Sequence, residues 1–246
     1  MDVQQVMLAQ LAVDFNTTPA ALAGGANLFT KKEADPRKRA YENGDALLQI
    51  LCYGGIAVCN TLDEGLRLEL EKTQRERDGA WFLTMRNLAR LDEALRPYGQ
   101  RLIDIHQYSI PSADRPEPEP VRNVVWFEGA ELERFRGDDR FDEALVFNPA
   151  WPDQLAVAAV ENGEILGMAA ASADAAHMWQ IGINVLPGQR GRGLGAGLVA
   201  MLKRAVLERG ILPFYSTAVS HTVSHRVAAA AGFVPAWVEA YSGKLE

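Results

Sequence analysis

The sequence predicts an α/β protein built on a mixed (α+β) sheet and divided into a smaller mixed α/β N-terminal domain and a C-terminal domain. Three observations predict it. Asn162-Gly163 sits between two apolar runs of strand length. A strand pattern at 178–185 meets a helical pattern at 194–209 across a glycine-rich loop. Between the halves, the stretch Pro111 to Pro120 carries four prolines in ten residues, which removes backbone donors and forbids a regular helix or an inner strand. Residues 113–120 are therefore expected to be a linker, with an N-terminal domain over 1–112 and a C-terminal domain over 121–246.

Composition sets the outer bounds. With 246 residues, 48% of them hydrophobic and 23% charged, the chain has the material for a sizeable core and fits one large or two modest domains. A net charge of −7 argues against nucleic-acid or anionic-membrane partners, which need clustered Lys and Arg. The basic run Lys31, Lys32, Arg37, Lys38, Arg39 is interrupted by Glu33 and Asp35 and is expected to be a solvated surface segment. Cys52 and Cys59 have no His or acidic companions at zinc-ligand spacing, so they are expected to be buried free thiols in a reducing compartment. The first fifteen residues lack the basic start and small-residue cleavage site of a secretory signal. No stretch approaches the ~20 apolar residues that span a bilayer, and the expected location is cytoplasmic. Asn16-Thr17-Thr18 spells a glycosylation acceptor, which has no meaning without secretion.

In chain order, apolar spacing of three and four predicts helices over 1–11, 66–76 and 82–95, the last with Leu83, Met85, Leu88, Leu91 and Leu95 on one buried stripe. Residues 46–58, broken by Gly54-Gly55, and 101–108 read as strands or hairpin arms. Beyond the linker, 121–127 reads as a strand and 141–147 as a short helix. Residues 155–160 and 165–171 form a hairpin across Asn162-Gly163, and 178–185 is a strand closed by Pro187-Gly188. Leu194, Leu198, Met201, Leu202, Ala205 and Val206 give the helix at 194–209 one apolar face, with Gly210 as its C-terminal stop. A strand at 212–219, a helix at 222–231 ended by Gly232, and a strand at 233–241 complete the chain.

The loop Val185-Leu-Pro-Gly-Gln-Arg-Gly-Arg-Gly-Leu-Gly195 carries the chemistry. Gly191, Gly193 and Gly195 let the backbone approach an anion and adopt φ values closed to other residues. The first amides of the following helix have no partner inside it and lie at the positive end of its dipole. Arg190 and Arg192 add fork-shaped, permanently charged donors suited to phosphate oxygens. A Walker loop is excluded because Ala196 and Gly197 stand where Gly-Lys-Ser/Thr would be needed. A dinucleotide fingerprint is excluded because the glycines run Gly-x-Gly-x-Gly.

The stretch resembles the GNAT superfamily of CoA-dependent N-acetyltransferases. That family's signature of Gln or Arg, two residues, Gly, one residue, then Gly or Ala is matched by Arg190 through Gly193 to Gly195. Its second signature is similar to Ser220-His-Thr-Val-Ser224 running on to Gly232-Phe233, and the resemblance covers about residues 121–246. It implies acetyl-CoA as cosubstrate. Backbone groups of Ile183, Asn184 and Val185 would bond the pantetheine arm. Gln189, Arg190, Gly191, Arg192, Gly193, Leu194, Gly195 and Ala196 would hold the pyrophosphate, with Ser224 at the thiol end and Arg226 at a nucleotide phosphate. Transfer is expected by direct attack of a primary amine, on a small molecule or a peptide, with an oxyanion donor from a backbone amide near Val185. Cys52 and Cys59 lie outside the motif region, which disfavours a thiol-linked acyl-enzyme.

Two positions depart from the family pattern. Gln180 stands where many relatives place a glutamate base, and an amide takes no proton. Ala228 stands where many place a tyrosine acid. His177 and Asp174 are the nearest titratable groups on the base side, and His221, Ser224, Tyr215 and Tyr241 are the candidates for the acid. Trp126, Trp151 and Trp179 are open as acceptor-pocket walls or as core. A catalytically degenerate acyl-CoA-binding module and an O-acyltransferase remain as alternatives, and the N-terminal half is expected to shape the acceptor site or a homodimer contact.

Overall fold

A computed structural model describes residues 1–40 and 44–244. Residues 41–43, inside the expected N-terminal domain, and 245–246, at the end of the expected C-terminal one, lie outside the described residues. The elements in chain order are α1 (Val3–Asp14), α2 (Pro19–Leu22), β1 (Leu28–Lys31), β2 (Leu48–Tyr53), β3 (Ile56–Thr61), α3 (Glu64–Gln74), α4 (Met85–Leu95), β4 (Gln100–Pro111), β5 (Val124–Glu128), β6 (Asp153–Glu161), β7 (Glu164–Ala175), β8 (Met178–Val185), α5 (Leu194–Glu208), β9 (Leu212–Ala218), α6 (Thr222–Ala230) and β10 (Phe233–Lys244). The chain is thus mixed α/β. It divides into two compact units, one of Asp2–Tyr108 with Ala236–Glu246 and one of Ser109–Pro235.

In the first unit, side-chain caps fix the helix starts. Asp2 accepts from Gln5 N at 3.0 Å, Thr18 from Ala21 N at 3.1 Å and Asp63 from Leu66 N at 2.8 Å, each satisfying a donor that the helix leaves open. Gly54 and Gly55 take φ of 57° and 84°, the left-handed pair that closes a two-residue hairpin between β2 and β3. The strand order is β1-β3-β2-β10-β4; β10 pairs antiparallel with β2, Val238 opposite Cys52. This pairing joins positions nearly two hundred residues apart, so the C-terminal strand belongs here for most of its length. Leu48, Ile50, Leu66, Leu70, Phe82, Leu91 and Leu95 form the core.

Two sequence expectations change in this unit. Met85 is 82% exposed, because the buried line of α4 runs through Asn87, Leu91 and Leu95, and Met85 falls about 120° away at 100° per residue. Asn87 can occupy that line because its side chain donates to Phe82 O at 2.9 Å. The basic run is not all solvated: Arg39 is 4% exposed, its Nε 2.5 Å from Asp14 Oδ2 and its Nη2 2.6 Å from Glu239 Oε1. Glu239 also accepts from Trp237 Nε1 at 2.6 Å, from Gln49 Nε2 at 3.1 Å and from the Tyr241 hydroxyl. The guanidinium carbon lies 5.4 Å from the ring centres of both Tyr108 and Trp237. The short β1, parallel to β3, and the one-turn α2 give no periodicity to read.

In the second unit the strand order β9-β8-β7-β6-β5 is covered on both faces. Leu155, Val157, Ala159, Ala169, Ala171 and Ile181 pack against α5 and α6. Ala156, Ala158, Met168 and Ala170 pack beneath Phe127, Phe135, Phe141 and Leu145. Burial on both sides explains why β6 and β7 read as continuous apolar runs. Asn162 and Gly163, with φ of 52° and 84°, form the expected hairpin turn. Residues 141–147 are not a helix. A 3-10 turn over Asp139–Phe141 stops there, the next amides bond a side chain on β8, and Phe147 takes a left-handed φ of 55°. Residues 113–120 carry no helix or strand, yet Glu117 is fastened at 2.7 Å to Lys203, whose buried Nζ also donates to Ala231 O at 2.7 Å.

Replacing Arg39 by Met takes the guanidinium from the two buried carboxylates Glu239 and Asp14 and is expected to cost about 3–5 kcal/mol. Urea unfolding checks this, with Arg37→Met as the control; Arg37 is 74% exposed, and its replacement should leave the midpoint in place.

Candidate active site

The site begins with a fork. β8 and β9 run parallel and pair at Met178↔Leu212, Trp179↔Pro213 and Gln180↔Phe214. Both strands then continue, β8 to Val185 and β9 to Ala218, without further pairing to each other among the described residues. From Ile181 onward β8 keeps its other neighbour, with Ile181↔Ala171, Ile183↔Ala169 and Val185↔Gly167. Its edge towards β9 is therefore open main chain.

Beyond the fork the chain enters the glycine-rich loop. Gly191 and Gly193 have φ of 79° and 78°, and Gly193 is the N-cap of α5 with no side-chain capping bond. The first backbone bond of the helix is Gly197 N–H to Gly193 O at 3.1 Å. Among the described residues, the amides of Gly191 to Ala196 donate to nothing in the protein. A Cβ on Gly195 would meet Val185 and Val227 at 3.5–3.7 Å, ordinary contact, whereas one on Gly197 would lie 2.7 Å from Val121 Cγ2. Gly191 and Gly193 are thus demanded by conformation and Gly197 by packing. The arginines fold back on the protein: Arg190 Nε donates to Val185 O at 3.1 Å, and Arg192 bonds the Gln189 side chain and lies 3.7 Å from Glu161.

On the α5 and α6 face, Ser224 Oγ is 2.8 Å from the Tyr215 hydroxyl. Burial raises the Tyr215 phenol above its ordinary range; the hydrogen bond to Ser224 opposes this and the charge of Glu143 adds to it. Ala228 is buried one turn on. His221 is the exposed N-cap residue of α6, without a side-chain capping bond, and Arg226 is exposed on the same helix. His177 is exposed in the β7–β8 turn, its carbonyl accepting from Leu212 N at 2.9 Å, so it stands at the closed end of the fork. Asp174 is buried and accepts from Ser172 Oγ at 2.7 Å. In the first unit, Tyr241 is buried with its hydroxyl 2.6 Å from that of Tyr108 and donating to Glu239. Trp179 packs against the α5 core and Trp126 is 38% exposed. Cys52 and Cys59 are free, and burial pushes the Cys52 thiol up to about 12.

On the opposite face, residues 142–144 lie across β8. Asn184 Oδ1 accepts from Glu143 N at 3.0 Å and Ala144 N at 2.7 Å, and Asn184 Nδ2 donates to Asp142 Oδ1 at 3.1 Å. A Cβ on Gly182 would lie 2.0 Å from Glu143 O. Sequence reasoning missed this contact. Its one local signal was a glycine inside a strand, which marks a close backbone approach. Among the described residues there is no His, Cys, Asp and Glu group able to hold a metal ion.

Residues 122–233 match the model of the acetyltransferase (GNAT) family, and this part of the chain is a domain of that family. Solved structures similar to the chain include a GNAT-family acetyltransferase from Novosphingobium aromaticivorans, with 22% identity over 60% of this chain and 69% of that one, TM-score 0.44. A GCN5-related N-acetyltransferase from Kribbella flavida has 22% identity over 63% of this chain and 64% of its own, just under two thirds, TM-score 0.46. The aminoglycoside N-acetyltransferase AAC(6')-Iy, crystallised with CoA, has 25% identity over 46% of this chain and 91% of its own, TM-score 0.34. A comparison with curated proteins found no match.

Gly193→Ala forces an L side chain into a left-handed N-cap and is expected to lower stability by about 1–2 kcal/mol, whereas Gly195→Ala should be nearly neutral. Denaturant midpoints of the two variants decide it; equal losses would contradict the assignment of strain to Gly193.

Proposed function

We propose that the C-terminal domain binds acetyl-CoA in the β8–β9 fork and transfers the acetyl group to a primary amine by direct attack. The observation that carries this reading is the continuity of two stretches of main chain, the β8 edge over 181–185 that β9 leaves, where Val185 O is met only by the exposed Arg190, and the undonated amides of 191–196. A pantetheine arm carries amides that can add to an open strand edge, and its diphosphate suits the amides and positive dipole of a helix start. In this reading Ile183, Asn184 and Val185 bond the arm through their backbones. Gly191 to Ala196 hold the pyrophosphate, and Gln189, Arg190, Arg192 and Arg226 supply the side chains around it. Swinging Arg190 and Arg192 from their present partners costs little, since both are exposed.

The acetyl carbonyl carbon then lies near the point where the strands part. A backbone amide near Val185 serves as oxyanion donor. The leaving sulfur is assigned to the Tyr215–Ser224 pair, because a phenol kept neutral by burial is a donor at any physiological pH. Tyr241, engaged with Tyr108 and Glu239, is a weaker choice. Among the described residues His177 and His221 have no side-chain hydrogen bond supporting either role, and loss of turnover on replacing one of them would favour an O-acyltransferase. Gln180 and Ala228, in place of a carboxylate and a phenol, favour the second reading, a CoA-binding module without turnover. The acceptor is assigned to the amine class only, and a cytoplasmic location and a homodimer belong to the same proposal.

Calorimetry with CoA and acetyl-CoA tests the reading, and an absence of heat at millimolar ligand would overturn it. Where amines are acetylated, Tyr215→Phe is expected to lower kcat about 100-fold with CoA affinity retained. Because the phenol is raised, the alkaline loss of wild-type activity should begin above the usual tyrosine range; a pH–rate profile unchanged by Tyr215→Phe would remove Tyr215 from the role.

A further inference from the structure

We infer that Glu143 is the carboxylate that receives the acceptor ammonium and takes its proton, standing in for the glutamate that position 180 lacks. This rests on the acetyl-transfer reading above, and it is carried by the way residues 142–144 are seated on β8. The paired part of the fork ends at Gln180↔Phe214. The Glu143 carbonyl touches β8 at Gly182, so closely that a Cβ there would lie 2.0 Å from it. Glu143 is thus held two residues past the point where the strands part.

Its position is fixed from both sides. Asn184 accepts the amides of Glu143 and Ala144 with one oxygen and donates to Asp142 with its nitrogen, so a single side chain on β8 clamps three consecutive residues. Phe141, Ala144 and Leu145 are buried in the core beneath β6 and β7, while Glu143 is exposed. The backbone is anchored and the carboxylate is left to solvent. Anchoring of the backbone sets the region that the carboxylate can reach.

The two faces of the fork then divide the work. Ile181 and Tyr215 belong to the α5 and α6 face, whereas Gly182 and Asn184 point to the face bearing Glu143. Burial is the main reason the Tyr215 phenol is raised, and the charge of Glu143 adds to it. An ammonium R–NH3+ docked on Glu143 gives up one proton to it, and the nitrogen lone pair attacks the thioester carbonyl carbon. The tetrahedral adduct loses its second nitrogen proton to solvent and breaks its C–S bond. The thiolate takes a proton from Tyr215, which is refilled from water. The products are R–NH–acetyl, CoA thiol and one proton, and Glu143 returns to its charged form on releasing that proton. Asp142 lies beside the same docking point through Asn184, so the acceptor class favoured is a cationic primary amine rather than a hydroxyl or a carboxylate-bearing amine.

The test uses the full chain, CoA calorimetry and thiol release from acetyl-CoA with 1,5-diaminopentane, an aminoglycoside, lysine amide, an alanyl peptide and ethanolamine as acceptors. Glu143→Gln is expected to bind CoA like the wild type and to lose about 100-fold in kcat/KM for the best amine; Glu143→Asp, which keeps the charge, should retain part of it. Circular dichroism checks that both variants are folded. A loss of less than about tenfold in Glu143→Gln, or an equal loss in Glu143→Asp and Glu143→Gln, overturns the assignment. So does CoA binding by the wild type with no turnover of any cationic amine, an outcome that leaves the cofactor reading intact. Absence of CoA heat, by contrast, overturns that reading itself.

Discussion

A strand whose neighbour departs halfway along it leaves a row of main-chain donors and acceptors that must be satisfied by something else. That constraint governs the C-terminal unit. β8 is paired along β7 but paired to β9 only over Met178 to Gln180. The open edge is tolerated because β8 is fixed from its other side by the β6–β7 hairpin and from both faces by packed side chains. A rigid strand with one free edge is a poor end state for folding and a good receptor for an extended chain carrying its own amides. The loop continues the same condition, since the amides of Gly191 to Ala196 also donate to nothing among the described residues.

The packing around the fork explains the glycines there individually. Gly182 and Gly197 exist to let backbone approach backbone or side chain, at Glu143 and Val121 respectively, whereas Gly191 and Gly193 exist to reach left-handed φ values. Motif reasoning treats glycines in such a loop as equivalent. The structure separates them, and predicts different consequences for adding one methyl group at each. Lys203 has a comparable structural part: buried on α5, it ties the end of α6 and the Pro-rich segment to one helix through Ala231 O and Glu117.

Local pattern made most of the C-terminal unit legible. The Asn162-Gly163 hairpin, the strand at 178–185 and the α5 and α6 helices depend on turn chemistry and periodicity within a few residues, and so did the phosphate-suited loop. What the sequence hid is long-range. The pairing of β10 with β2 spans most of the chain, so local pattern alone places residues 236–244 with the C-terminal half. The burial of Arg39 depends on Asp14 and Glu239, and a run of basic residues carries no sign that one member is paired in a core. Residues 141–147 looked helical because Phe141, Ala144 and Leu145 have helical spacing. Those side chains are indeed buried, but the chain makes only a single turn there, with Leu145 N returning to Phe141 O while Asn184 takes the Glu143 amide and shares that of Ala144.

That last substitution of partners also bears on chemistry. A helix over 141–147 would have pointed Glu143 outward on a regular surface, with its position set by helix packing alone. The Asn184 bonds to the Glu143 and Ala144 amides, beside the local turn that returns Leu145 N to Phe141 O, seat the chain against Gly182 and bring residue 143 beside the open part of β8. The buried neighbours Phe141 and Leu145 resist its displacement, so the exposed charge costs little in desolvation while its backbone is held as firmly as core. A carboxylate carried on β8 itself would have to point into a strand face already packed against 142–144. The amide at Gln180 and the clamp at Asn184 are in this sense two parts of one arrangement, in which the strand supplies the seat and the crossing segment supplies the charge.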